Sequence, residues 1–204
     1  MEYARGTMTG MALDALSDCD DETLLAHYAA GDAAAARLLT ARLGPRVFSH
    51  AARLLGDAAE AEDVAQEAML RLWRIAPEWR AGEAQVSTWL YRVTANLCID
   101  RKRRARGGHT ALDAIAEPAD PAPSAAGQLQ DKARMQALDE ALATLPDRQR
   151  QAVVLRHIEG LGNPEIAEIM EISTEAVESL TARGKRALAA ALAGRREDLG
   201  YADD

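Results

Sequence analysis

The 204 residues, 48% of them apolar, can bury one substantial core or two small ones, and abundant Ala and Leu beside a single Phe favour helices over sheet. The two cysteines, Cys19 and Cys98, lie far apart and form no metal-spacing motif, which favours a reduced, cytoplasmic protein over a disulfide scaffold. A formal charge of −8 opposes general affinity for phosphate, and no apolar run approaches transmembrane length, so membrane insertion is not expected.

Residues 1–20 are expected to be an acidic segment without regular structure. Glu2, Asp14, Asp18 and Asp20, followed by Asp21 and Glu22, face only Arg5, and the segment lacks the basic and hydrophobic regions of a signal peptide. Residues 21–106 have room for four helices. Within them Glu62 to Arg74 is two-sided. Val64, Ala65, Ala68, Met69, Leu72 and Trp73 fall on one face at about 100° per residue and form a core stripe. Asp63, Gln66, Glu67, Leu70, Arg71 and Arg74 fall on the other. Mixed charges, an amide and an exposed leucine suit protein docking better than phosphate binding.

The next helix, from about Ser87 to Arg104, buries Val86, Leu90, Val93, Thr94 and Leu97 and leaves Tyr91, Arg92, Asn96, Lys102 and Arg103 around its other side. Aromatic and basic groups sharing a surface match single-strand binding, in which a ring stacks on an unpaired base while guanidinium groups hold the backbone. Trp79 and Trp89 flank RAGEAQVST, a loop with polar groups able to accept an extruded base. Trp73 reads as a core anchor, whereas Trp89 sits at the edge of the buried stripe and fits either role. Arg101, Lys102, Arg103, Arg104 and Arg106 close this region with a basic cluster.

Residues 107–130, rich in Gly, Pro and Ala, read as a linker. Residues 131–196 have room for three or four more helices, and 197–204 form a tail. Near the end, Asn163 is a candidate cap with Pro164 at the opening helical position, and Ile166, Ala167, Ile169 and Met170 form an apolar face. After a break, Ser173 is positioned to cap a second helix. Ala176, Val177, Leu180, Gly184, Leu188 and Leu192 recur at helical spacing there, leaving Glu175, Glu178, Ser179, Ala182, Lys185 and Arg186 outward. This is the pattern of a helix-turn-helix, whose second helix commonly enters the DNA major groove. Arg183, Lys185, Arg186, Arg195 and Arg196 make a second basic cluster, so the acidic total conceals two cationic regions.

The order EDVAQEAMLRLWR, STWLYRVTANLCIDRKRR, a Pro-rich linker, then LPDRQRQAVVLRHIEGLGNPEIAEIMEIS resembles the extracytoplasmic-function sigma factors of bacterial RNA polymerase, from about Leu24 to Leu192. The resemblance implies an all-α protein of two helical modules that binds the clamp of the polymerase beta-prime subunit and promoter DNA, with an anti-sigma factor as a further partner. It assigns Asp63, Gln66, Glu67, Leu70 and Arg71 to the clamp, and Trp89, Tyr91, Arg92, Asn96, Arg101 and Arg103 to the minus-ten element. It assigns Ser173, Thr174, Glu175, Glu178, Ser179, Ala182, Lys185 and Arg186 to the minus-thirty-five element. The second helix departs from the family pattern, with Glu178 where a Lys is usual and Leu180 where an Arg is usual. Glu175 or Glu178 is suited to accept a hydrogen bond from a cytosine amino group.

Catalysis, a metal and a cofactor are not expected: His27, His50, His109 and His157 are scattered, and no nucleophile, paired-carboxylate or phosphate-loop pattern is legible. Two other readings fit parts of the pattern. A sigma-like decoy that titrates an anti-sigma factor would account for the acidic balance and the altered recognition helix. A helix-turn-helix repressor would require a dimer and palindromic sites, and leaves the Glu62 to Arg74 face unexplained.

Overall fold

The structure is a computed structural model that describes residues 16–107 and 125–195. The expected acidic segment up to residue 15, most of the linker, the tail 197–204, His109, Arg196 and the side chain of Arg106 lie outside the described residues. Everything regular among those described is helical: α1 (Asp21–Ala29), α2 (Ala33–Leu55), α3 (Ala58–Ile75), α4 (Val86–Gly107), α5 (Ala125–Ala143), α6 (Asp147–Val153), α7 (Asn163–Met170) and α8 (Thr174–Leu192). A 3-10 turn (Ala76–Glu78) follows α3, a π-helical segment (Val154–Ile158) continues α6, and a 3-10 turn (Ala193–Arg195) follows α8. Helix α5 opens at Ala125, inside the stretch that reads as linker. Only Pro118, Pro121 and Pro123 forbid helix there, and the Ala, Gln and Leu residues after them favour it.

Two compact units divide the chain. The first has the residues up to Ala52 together with Ala58–Arg101, and the second has Arg53–Asp57 together with the residues from Lys102 on. In the first, Leu24 and Leu25 of α1, Leu39 of α2, Leu72 of α3 and Leu90 of α4 meet in one core. All five are 0–1% exposed, and each such leucine contributes roughly 1.5–3 kcal/mol of burial. Local chemistry fixes the helix starts. Asp20 Oδ1 accepts from the Thr23 amide at 2.7 Å before α1, and Asp32 Oδ1 accepts from the Ala34 amide at 2.8 Å before α2.

In the second unit the core is Leu142, Leu145, Val153 and Val154, with Leu138, Ile158 and Leu188 packed against it. Arg150 is buried and caps the end of α5. Its guanidinium donates to the carbonyl oxygens of Leu142 at 2.8 Å and Ala143 at 2.6 Å, at the helix end, and of Leu145 at 3.2 Å just beyond it. Removing that side chain would take three hydrogen bonds from this turn at once. The π segment ends where Arg156 donates to the Leu161 carbonyl at 2.8 Å and Gly160 adopts φ +75°. The chain then enters α7.

The cap of α7 corrects the sequence reading by one residue. Gly162, not Asn163, holds the cap position, and its amide donates to Glu165 Oε2 at 2.7 Å, so that Asn163 opens the helix and Pro164, expected there, takes the second position of the first turn. Helix α7 ends at Glu171, whose φ of 53° and ψ of 50° turn the chain through the left-handed region. Ser173 caps α8, its hydroxyl accepting from the Ala176 amide at 3.3 Å. Helices α7 and α8 thus form the helix-turn-helix that the periodicity implies.

Candidate functional site

Helix α3 presents its core stripe inward and its mixed face outward. Asp63, Gln66, Leu70 and Arg71 are exposed, with Leu70 at 42%, while Val64, Ala68 and Leu72 are almost fully enclosed. Glu67 is partly exposed, and Arg71 Nε donates to its Oε1 at 2.8 Å, one helical turn on. That hydrogen bond holds the Glu67 carboxyl below its ordinary range, with the charges of Arg71 and Arg74 adding to it. Trp73 packs inward against Tyr28, ring centroids 4.6 Å apart, as a core anchor.

Helix α4 partly overturns its expected surface. Tyr91 is 2% exposed, not outward. Its ring meets His50 edge-on at 5.0 Å, and the Arg46 guanidinium stands 5.8 Å from the ring centroid, so α2 covers it. Buried this way it offers no face to a base. Arg101 is also engaged: it pairs with Glu60 and, at 3.3 Å, with Asp63, both on α3. The hydrogen bond to Glu60 raises the Arg101 pKa further, so it is a permanent cation inside an ion cluster. The residue assigned to DNA and the acid assigned to the clamp therefore share one contact. Asn96 and Arg103 are exposed, and Arg92 and Trp89 are partly so.

Beside α4 lies an open cleft of about 630 Å³, lined by Trp79, Trp89, Arg80, Arg92, Glu78 and Glu83 among others. Trp79 and Trp89 stand nearly perpendicular, centroids 6.0 Å apart, an edge-to-face pair that keeps both rings in fixed orientation. The loop that closes one wall turns at Gly82, φ +82°, where a side chain would be strained. Its amide donates to Glu22 Oε1 of α1 at 3.0 Å. Sequence reasoning finds both tryptophans and the loop but not Glu22, because nothing local marks a helix acid as the partner of an amide 60 residues away.

On the helix-turn-helix, Glu175, Glu178, Ser179, Ala182, Lys185 and Arg186 are all exposed along one side of α8, with the cap Ser173 also exposed and Thr174 partly so. Val177 is fully enclosed, and Ile166, Ile169 and Met170 of α7 are buried. Gly184 fixes how closely α8 approaches α6, since a Cβ there would lie 2.5 Å from Val153 Cγ2. The two carboxylates of the outward face differ. The amide of Glu175 itself holds its carboxyl below the ordinary range, with help from the Ser173 and Thr174 hydroxyls. Glu178 Oε1 instead accepts from Asn163 Nδ2 of α7 at 3.3 Å. Asn163, expected as a cap, is a partner of the outward face, a role that only the packing of two helices reveals.

Among the described residues no group of three or more His, Cys, Asp or Glu is placed to hold a metal ion, and no helix is long and apolar enough to cross a membrane. Family models match in two places: Sigma-70 region 2 at residues 39–107, and Sigma-70, region 4 at residues 135–188. The RNA polymerase sigma-H factor of Pseudomonas aeruginosa is 32% identical over 189 residues, 87% of this chain and 96% of that protein. The ECF RNA polymerase sigma factor SigE of Mycolicibacterium smegmatis is 35% identical over 147 residues, 70% of this chain but 56% of SigE, so the chain spans little more than half of that relative. Among solved structures, CnrH in complex with the cytosolic domain of CnrY superposes with a TM-score of 0.62 at 26% identity, covering 85% of this chain and 97% of CnrH.

Proposed function

The chain belongs to the sigma-70 family of RNA polymerase sigma factors, in its extracytoplasmic-function group, and from that premise we propose that it binds core RNA polymerase in the cytoplasm and directs promoter recognition and opening. It acts by binding, without covalent chemistry of its own. Along the chain an acidic segment (1–20) precedes a region-2 module (21–106), a linker (107–130, shortened by the start of α5), a region-4 module (131–196) and a tail (197–204). In this reading Asp63, Gln66, Glu67, Leu70 and Arg71 dock on the beta-prime clamp. Trp89, Arg92, Asn96 and Arg103 hold the separated minus-ten strand, and the outward side of α8 meets the minus-thirty-five duplex. A solved relative, CnrH, is bound to a domain of a second protein, CnrY, which supports an anti-sigma factor as a further partner here.

The observation that carries this reading is the open cleft walled by Trp79 and Trp89 with Arg92 among its lining residues. Rings and a guanidinium around a cavity that size suit an unstacked base, whose stacking contributes about 1–3 kcal/mol. A repressor that reads intact duplex has no use for it.

Transcription by polymerase core with the full chain tests the division of work. Replacing Trp89, Arg92 and Asn96 with Ala should impair promoter opening more than duplex binding, and a template pre-melted across the minus-ten region should partly restore it. Lys185→Ala with Arg186→Ala should weaken upstream contact and gain nothing from pre-melting. Equal restoration of both sets, or of neither, would refute the assignment. Separately, Gln66→Ala with Arg71→Ala should weaken core binding in a titration while helical content stays unchanged, and unaltered affinity would remove α3 from the clamp.

A further inference from the structure

We infer that Glu178 reads a cytosine in the upstream promoter element, with Asn163 as the positioning residue that holds its carboxylate. The inference rests on the reading of α8 as the helix that meets that element. Residues near the N-terminal end of the second helix reach base edges in this motif, and Glu178 lies just past the first turn of α8, exposed and on the same side as Lys185 and Arg186.

A carboxylate on that side is repelled by the phosphates that the two cations attract, so it contributes favourably only where the groove supplies a donor. In the major groove cytosine offers its N4 amino group. Adenine also offers an amino group, but beside the N7 acceptor, which would face a second carboxylate oxygen. Cytosine is therefore the base that a glutamate selects.

A contact between helices marks Glu178 as the reader: its Oε1 accepts from Asn163 Nδ2 of α7 at 3.3 Å. That bond uses Oε1 and leaves Oε2 for one donor. It ties the carboxylate to α7, restricting a flexible side chain to fewer rotamers and reducing the entropy lost on binding. The Gly184 contact with Val153 and Gln149 holds α8 close against α6, so the carboxylate's bearing on the groove follows from backbone packing.

The test is a selection of transcribed templates from a library randomised across the upstream element, with the downstream element fixed and the full chain bound to core polymerase. The wild-type protein should enrich cytosine at one position by at least about fivefold. Glu178→Gln should move the preference at that position to adenine, because an amide side chain pairs with adenine N6 and N7, and should leave other positions unchanged. Asn163→Ala should keep cytosine but lower its enrichment, a result that a purely structural brace between α7 and α8 would not give. An unchanged preference in Glu178→Gln overturns the inference, and undiminished enrichment in Asn163→Ala overturns the positioning role. If the wild-type protein transcribes from the downstream element yet selects no upstream sequence, the reading of α8 itself fails.

Discussion

At position 184 a Cβ would stand 2.5 Å from Val153 Cγ2, 3.2 Å from the Gln149 carbonyl oxygen and 3.4 Å from Gln149 Cβ. A glycine inside a helix permits either a bend or a close approach, and the structure supplies the approach. Gly184→Ala would gain about 1 kcal/mol of helix propensity, but overpacking against a neighbouring backbone costs about 1–3 kcal/mol, and the carbonyl cannot move without α6. The expected result is a lower thermal midpoint, partly recovered in the double variant with Val153→Ala, which removes the nearest methyl. A midpoint unchanged or raised by Gly184→Ala would show that α6 yields at no cost. Glu171 is a residue whose conformation no sequence pattern foretells: its left-handed backbone costs an L side chain roughly 1–2 kcal/mol and is usually left to glycine. Periodicity locates the break between α7 and α8 but carries no information about its dihedral angles.

Helix α4 shows where periodicity stops being sufficient. Its pattern reads as one buried stripe, and Val86, Leu90 and Thr94 follow that stripe. Tyr91 lies next to it and is buried too, because His50 and Arg46 of α2 extend the covered arc beyond the stripe. A helix with packing partners on two sides buries more than a single amphipathic face predicts. The outer sides of α3 and α8 are legible for the opposite reason, since each has a charged side opposite the side that carries its buried residues, a broad stripe on α3 and Val177 and Gly184 on α8. The Arg101 contacts with Glu60 and Asp63 are not legible, as three charges on different helices carry no mark of their pairing. They lead to a prediction at the level of two helices. Glu60→Gln should loosen the cluster and raise affinity for a single-stranded minus-ten oligonucleotide by a few fold at low salt, on the scale of about 1 kcal/mol for an exposed ion pair. The gain should vanish in the Arg101→Ala background, and fluorescence anisotropy of a labelled strand would measure both. A gain that persists without Arg101 would assign the effect to general charge instead.

Across the whole chain, the formal charge of −8 alone argues against nucleic acid, and the placement of charge reverses that expectation. Lys185 and Arg186 are exposed on one side of α8, whereas Glu60 is engaged by Arg101 and Glu67 by Arg71. Division into two helical modules is readable from composition because the prolines between them forbid helix. The true start of α5 is not, since alanine and glutamine permit helix without requiring it. One contact bears on where the first module begins. Likeness to Sigma-70 region 2 starts at residue 39, yet α1 lies before that point, places Leu24 and Leu25 in the core and fastens the Gly82 loop through Glu22. The stretch that the region 2 model matches and the stretch that must fold together are thus different lengths of chain. A transplant cut to the recognisable stretch would carry both tryptophans into a new host and leave behind the helix that keeps the wall of their cleft in place.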